Sequence, residues 1–283
     1  MAGKLGLGID VGGTGVKAAV VDVVTGDLVS KRVRVNTPKP STPEAVADTI
    51  RAVVDTVAQQ YPLDPDVPVG CGMPCVVKGG KTLTAANIDK KWIDAQADEI
   101  IGNALGRRVL VINDADAAAI AESRLGAGRG VPGTVLLLTI GTGIGSGLLV
   151  DGRLVPNTEL GHLEFRGKDA ETTLSGAARE RRRMRWKTWA QDFNVYLGRV
   201  ELYLSPDLFI LGGGVSKVMD KYRQYLTARA PIVPAGFLNT SGIIGAALAA
   251  ADAVDTGRQA ILAVDEVRRA VSDVDDSPGP ASI

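Results

Sequence analysis

Short apolar runs interrupted by glycine, interleaved with helical periods, dominate this chain. Residues 5–9 (LGLGI) and 16–21 (VKAAVV) read as two strands joined by the Gly-rich turn Asp10–Gly15. A third strand is expected near Leu28–Val35, after the Thr25–Gly26 turn. Thr42 is placed to cap a helix that has Pro43 at its first position. Val46, Ile50, Val53, Val54 and Val57 then recur at helical spacing. After the loop YPLDPDVP, Val67–Gly72 and RVLVIN at 108–113 read as strands, and an Ala-rich helix runs from about Ala115 to Leu125, stopping at Gly126.

The opening pattern then returns. TVLLLTI (134–140) is a strand, GTGIGSG (141–147) a Gly-rich turn, and LLV a strand closing at an Asp151–Gly152 hairpin. Two copies of strand, glycine turn, strand, about 130 residues apart, imply two related halves facing a cleft. Further on, the pattern predicts a long polar helix over Gly176–Leu204, a strand at 207–211, a Gly212–Gly214 turn, and a helix over Val215–Arg229. A small-residue helix, Ser241–Ala253, is suited to close packing. The expected division is an N-terminal α/β domain over 1–114 and a larger α/β domain over 115–240. The helix 241–253 returns to the first, and a C-terminal helix and frayed tail occupy 254–283.

Composition narrows the class. A length of 283 residues suits one large or two modest domains, and 45% hydrophobic with 23% charged residues is ordinary for a globular protein. With 32 basic and 32 acidic residues there is no global field to attract nucleic acid or membrane. No run approaches the roughly 18–20 apolar residues that span a bilayer, and the N-terminus lacks a signal peptide's apolar core. Cys71 and Cys75 make no disulfide framework and read as buried small residues; a single His excludes a His-rich metal site. These features predict a cytoplasmic protein.

The candidate chemistry sits in the glycine turns. In Asp10-Val-Gly12-Gly13-Thr14-Gly15-Val-Lys17 the glycines let phosphate oxygens approach backbone N–H groups. Thr14 adds a hydroxyl, Lys17 a charge, and Asp10 a carboxylate able to hold Mg²⁺ directly or through water. The string is not a Walker A loop. Gly141–Gly147 offers a second nest, and LGGGVS at 211–216 a third phosphate element before a helix. Asn113-Asp114, between a strand and a helix, offers a base for an acceptor hydroxyl or simply a helix cap. Glu159 and His162, either side of Gly161, can grip neighbouring sugar hydroxyls or serve structure alone. The run RERRRMRWK (179–187), extended by Lys217, Lys221 and Arg223, reads either as a track for a polyanion or as a solvated helix face.

Taken together, GIDVGGTGVKAAVVD, VINDADAAAIAE, LTIGTGIGSGLLVDG, ELGH and FILGGGVS resemble the ROK family of actin-like sugar kinases, in the same order over about residues 5–250. TAANIDKKW and ELGHLEF–GKDAETTLS are closer still to the polyphosphate glucokinase branch. The resemblance implies a two-domain actin-like (ASKHA, ribonuclease H-like) α/β fold with a cleft between the domains. It implies phosphoryl transfer to the 6-hydroxyl of glucose from polyphosphate, with ATP as a further donor. Asp114 would be the base. Asn87, Asn113, Glu159, His162 and Glu171 would hold the sugar, Glu171 being placed by its spacing to Ser175. Gly12, Gly13, Thr14, Lys17, Thr142, Gly143, Gly212 and Gly213 would hold the donor, with Mg²⁺ at Asp10. Many members carry a Cys-rich zinc segment after the His, and here no Cys follows His162, so no structural zinc is expected. Family members often form homodimers, so a homodimer is expected. An ATP-dependent hexokinase acting on glucose or mannose is the near alternative. A sugar-sensing regulator would need a DNA-binding helix-turn-helix, and four residues precede the first strand.

Overall fold

Apolar alternation and the first glycine turn build β1 (Leu5–Gly12) and β2 (Gly15–Asp22), an antiparallel hairpin closing on Gly13 and Thr14. This computed structural model describes residues 4–255. β3 (Val33–Val35) lies on the outer side of β2, followed by α1 (Pro43–Gln60). Thr42 caps α1 by accepting from Ala45 N, and the five predicted apolar residues of that helix are its buried stripe. Burying each contributes about 1.5–3 kcal/mol, more than the few tenths lost to β-branching in a helix. β4 (Val69–Met73), the small hairpin β5 (Val77–Lys78) and β6 (Lys81–Thr82), α2 (Ala97–Leu105) and β7 (Leu110–Asn113) complete the first half. Cys71 and Cys75 are buried here, as expected.

α3 (Asp114–Arg124) leads to the second half. It holds β8 (Thr134–Ile140), β9 (Ile144–Val150), β10 (Arg153–Val155), a hairpin of β11 (Glu164–Phe165) and β12 (Lys168–Asp169), α4 (Glu171–Leu174), α5 (Gly176–Arg181), α6 (Trp186–Leu204), β13 (Leu208–Gly212), α7 (Gly213–Ser216) and β14 (Ile232–Pro234). The sheets have orders β3-β2-β1-β4-β7 and β10-β9-β8-β13-β14. In each, an antiparallel hairpin is followed by two parallel additions. The repeat legible in the sequence is therefore a repeat of topology.

α8 (Ser241–Asp255) returns to the first sheet and packs on β1, β4 and α3. The approach is backbone to backbone: a Cβ at Gly8, Gly70 or Gly245 would clash with the carbonyls of Ile243, Ala246 or Ala117 respectively. Close packing by small residues was the expectation for this helix.

Four expectations change. Only Val33–Val35 forms the third strand; Leu28 makes an isolated bridge to Val21, and the Ser30 hydroxyl accepts from Val20 N, so a side chain takes a donor the ladder would use. α3 ends at Arg124 and is capped by Leu125, with Gly126 beyond the cap rather than left-handed. The helix expected over 176–204 breaks into α5 and α6 at Arg183, which has φ 51°. Six cations in nine residues repel along one helix, and the break lets Arg179 lie 3.6 Å over the Trp186 ring. The helix expected over 215–229 is three separate turns, because the backbone leaves helical geometry at Tyr222 (φ −135°) to bury its ring against Trp186 and Trp189. The tail expected beyond 255 lies outside the described residues.

Candidate active site

Between the two sheets lies a cleft of about 470 Å³. The first hairpin contributes Asp10, Gly12, Gly13, Thr14 and Lys17, and the β7–α3 junction contributes Asn113 and Asp114. Asn87, Glu159, His162 and Glu171 line the cleft too, as do Thr142 and Gly143 of the second turn, with Gly212 and Gly213. Every residue expected to hold the sugar, the donor or Mg²⁺ thus lines one cavity.

At its floor, Asn113 and not Asp114 is the helix cap. Asn113 Oδ1 accepts from Ala115 N (2.9 Å) and Asp116 N (3.0 Å), and Asp114 begins the helix with its carboxyl turned to the cleft. Burial pushes the Asp114 carboxyl up to about 8, helped by the nearby charge of Asp10 and opposed by its bond to Ala115 N; Glu159 adds to the rise and Lys17 offsets it. A carboxyl so placed exchanges protons near neutral pH, as a general base requires. The carboxamide of Asn113 is fully engaged: Nδ2 donates to Cys75 O (3.0 Å) and to Glu159 Oε1 (3.4 Å).

Burial holds the Glu159 carboxyl above the usual range, the His162 charge opposing and the Glu171 charge adding. His162 Nδ1 lies 2.8 Å from Asp169 Oδ2, and its Nε2 3.8 Å from Glu159 Oε2. The Asp169 bond raises the imidazole pKa. Asp169 was not anticipated; nothing in its setting at the end of a two-residue strand signalled it. Glu171 Oε2 accepts from Ile144 N (3.2 Å), and a Cβ at Gly143 would strike Glu171 and crowd Asn87 Nδ2. The bare backbone at Gly143 thus leaves room for the side chains of Glu171 and Asn87.

On the donor side, Lys17 Nζ pairs with Asp10 Oδ2 at 2.6 Å. The first turn of α8 lies against that carboxylate, Gly242 leaving space for it, and a helix N-terminus favours its charge. The helix after the third glycine element, α7, is a single turn. None of Arg179–Lys187, nor Lys217, Lys221 or Arg223, lines the cleft. Arg34, Asn239 and Ser241 line it without having been anticipated.

Two further buried groups support these walls. Asp116 Oδ2 accepts from Asn157 N (2.7 Å), and the Asn157 side chain exchanges two bonds with the backbone of Val77. Glu122 accepts from Gly236 N, Phe237 N, Ala127 N and the Ser241 hydroxyl, fixing the loop that leads into α8.

Residues 6–178 match the family described as the ROK family. The chain belongs to the ROK family. Among ROK relatives, it is 47% identical over 245 residues to a polyphosphate glucokinase of Mycobacterium tuberculosis, spanning 86% of this chain and 90% of the relative. A polyphosphate glucokinase of Mycobacterium leprae is 44% identical, spanning 86% and 74%. The crystal structure of an inorganic polyphosphate/ATP-glucomannokinase from Arthrobacter sp. strain KM superposes with a TM-score of 0.85 at 48% identity, covering 87% of this chain and 98% of that one. A ROK glucokinase from Streptomyces griseus, in complex with glucose and AMPPNP, gives 0.75 at 26% identity, covering 88% and 99%. The duplicated sheets are thus the two-domain actin-like sugar-kinase fold.

Proposed function

We propose that this ROK protein transfers the terminal phosphoryl group of inorganic polyphosphate, with ATP as a further donor, to the 6-hydroxyl of glucose, giving glucose 6-phosphate. One observation carries the reading most: Asp114, relieved of capping by Asn113, presents a carboxyl raised to about 8 between a phosphate-type hairpin and the Glu159–His162 pair.

In this mechanism Glu159, His162, Glu171 and Asn87 hold the sugar so that its 6-hydroxyl meets Asp114, which takes the proton as the oxygen attacks phosphorus. Asn113 orients Glu159. Backbone N–H groups of Gly12, Gly13 and Thr14, with Lys17, Thr142 and Gly143, hold donor oxygens, and Gly212 and Gly213 bound the donor wall. Such catalysis is chiefly positioning and charge stabilisation. The residues fit Mg²⁺: a hard cation that keeps its waters needs one or two carboxylates beside donor phosphates, and Asp10 offers one. Among the described residues no three metal-ligating side chains form a site without the donor. Asp10 would hold the ion, which neutralises charge on the donor phosphates when bound.

The same reading divides the chain at 1–114 and 115–240, with 241–253 returning to the first domain; the contacts of α8 with β1 and β4 support it. Mannose is a second acceptor on this reading, supported by the likeness to the glucomannokinase. It includes a homodimer, supported by exposed Val195, Leu202 and Tyr203 on α6 and tested by light scattering. It also places the protein in the cytoplasm, to be checked by cell fractionation; no helix among the described residues is long and apolar enough to cross a membrane. The decisive assay follows glucose 6-phosphate formation with polyphosphate and ATP supplied separately. Formation with neither donor refutes the proposal.

A further inference from the structure

Strand register sets three charges in a row across the first sheet. Asp10 on β1 is opposite Lys17 on β2, and Lys17 is opposite Arg34 on β3. Opposed residues on adjacent strands share a face, and all three line the cleft. The first two neutralise each other at 2.6 Å. Among the described residues Arg34 has no carboxylate partner: its guanidinium donates to Thr14 O (3.1 Å) and Asn36 Oδ1 (3.2 Å), both neutral.

Like charges opposed across strands are unfavourable, so a second cation beside Lys17 calls for an anion. The hairpin is shaped to receive the guanidinium. A Cβ at Gly15 would lie 2.8 Å from Arg34 Nε and 3.1 Å from its Cζ, so the missing side chain lets the group lie against the backbone of the phosphate turn. Around it, residues 28–43 hold Lys31, Arg32, Arg34 and Lys39 and no carboxylate. Three of the six cations in the denser run at 179–187 are engaged away from the cleft: Arg179 covers Trp186, Arg181 donates to Thr172 O, and Lys187 lies over Tyr225.

We propose that Arg34 is a donor-binding residue and that a polyphosphate chain leaves the cleft over the first hairpin and the β3 edge. The inference rests on the polyphosphate reading above and adds the path of the chain. Arg34 lies two strand spacings, about 10 Å, from β1. A long polyphosphate still carries charge at that distance, whereas in ATP the phosphates have given way to a nucleoside. The guanidinium's planar fork suits phosphate oxygens.

The test compares wild type, Arg34→Gln, Arg34→Lys and the double variant Arg182→Gln/Arg183→Gln, with thermal midpoints to confirm folding. Arg34→Gln is expected to raise KM for long-chain polyphosphate about five-fold more than KM for ATP, and to make polyphosphate affinity less sensitive to salt. Arg34→Lys should recover part of the loss, and the double variant should match wild type. Equal effects on both donors, no change with polyphosphate, or a selective loss in the double variant instead would overturn the path. If wild type does not turn over polyphosphate at all, the donor reading fails separately. Calorimetric titration of long-chain polyphosphate into wild type and Arg34→Gln then decides Arg34, equal affinities counting against it.

Discussion

Asn113 Nδ2 reaches Glu159 Oε1 at 3.4 Å while Asn113 Oδ1 caps α3. One carboxamide therefore ties the helix that begins with Asp114 to the Glu159 carboxylate, the groups proposed as base and sugar ligand. Glu159→Ala is expected to raise the glucose KM by about ten-fold or more, the loss of a charge-assisted hydrogen bond. Steady-state kinetics at saturating donor check this, and an unchanged KM would move the sugar elsewhere.

Asp114→Asn removes the base but keeps the size of the side chain. Turnover is expected to drop by about 10²–10⁴-fold, with glucose affinity by calorimetry largely retained. In the wild type, Asp114 accepts a proton only when ionised, and its pKa is raised to about 8. The kcat/KM for glucose should therefore rise with pH and level off above about 8. A flat profile between pH 6 and 9 would remove Asp114 from that role.

The chain's single His makes its titration unambiguous. With Asp169 bonded to Nδ1, the His162 ring should titrate above 6.5 by proton NMR, staying charged to higher pH than a free imidazole. Asp169→Asn should bring the midpoint down, and an unmoved midpoint would show that the bond does not form in solution.

Glu122 is fully buried and accepts from four donors on two segments. Glu122→Ala strands those donors and is expected to cost about 3–5 kcal/mol of stability. Denaturant midpoints measure this. A loss below about 1 kcal/mol would mean that the 236–241 loop holds itself.

Legibility tracked how local the determining physics was. The two hairpins, the Thr42 cap and the valine stripe of α1 depend on neighbours in sequence, and each was readable there. The roles of Asn113 and Asp114 were not separable, because only the folded junction shows which one caps. Tyr222 broke an expected helix because aromatic packing from distant residues outweighs local propensity, and at Arg183 the crowding of like charges did so. Density of charge pointed to Arg179–Lys187, yet cleft position depends on register, and register brings Arg34 beside Lys17.

The seating of α8 also limits how the molecule can move. Shear between packed elements proceeds through small side-chain adjustments at their interface, and where Gly8, Gly70 and Gly245 meet carbonyls there are no side chains to adjust. Sliding along this helix is blocked, so α8, α3 and the first sheet are seated as one unit. The first turn of α8, which touches Asp10, is held by the same packing.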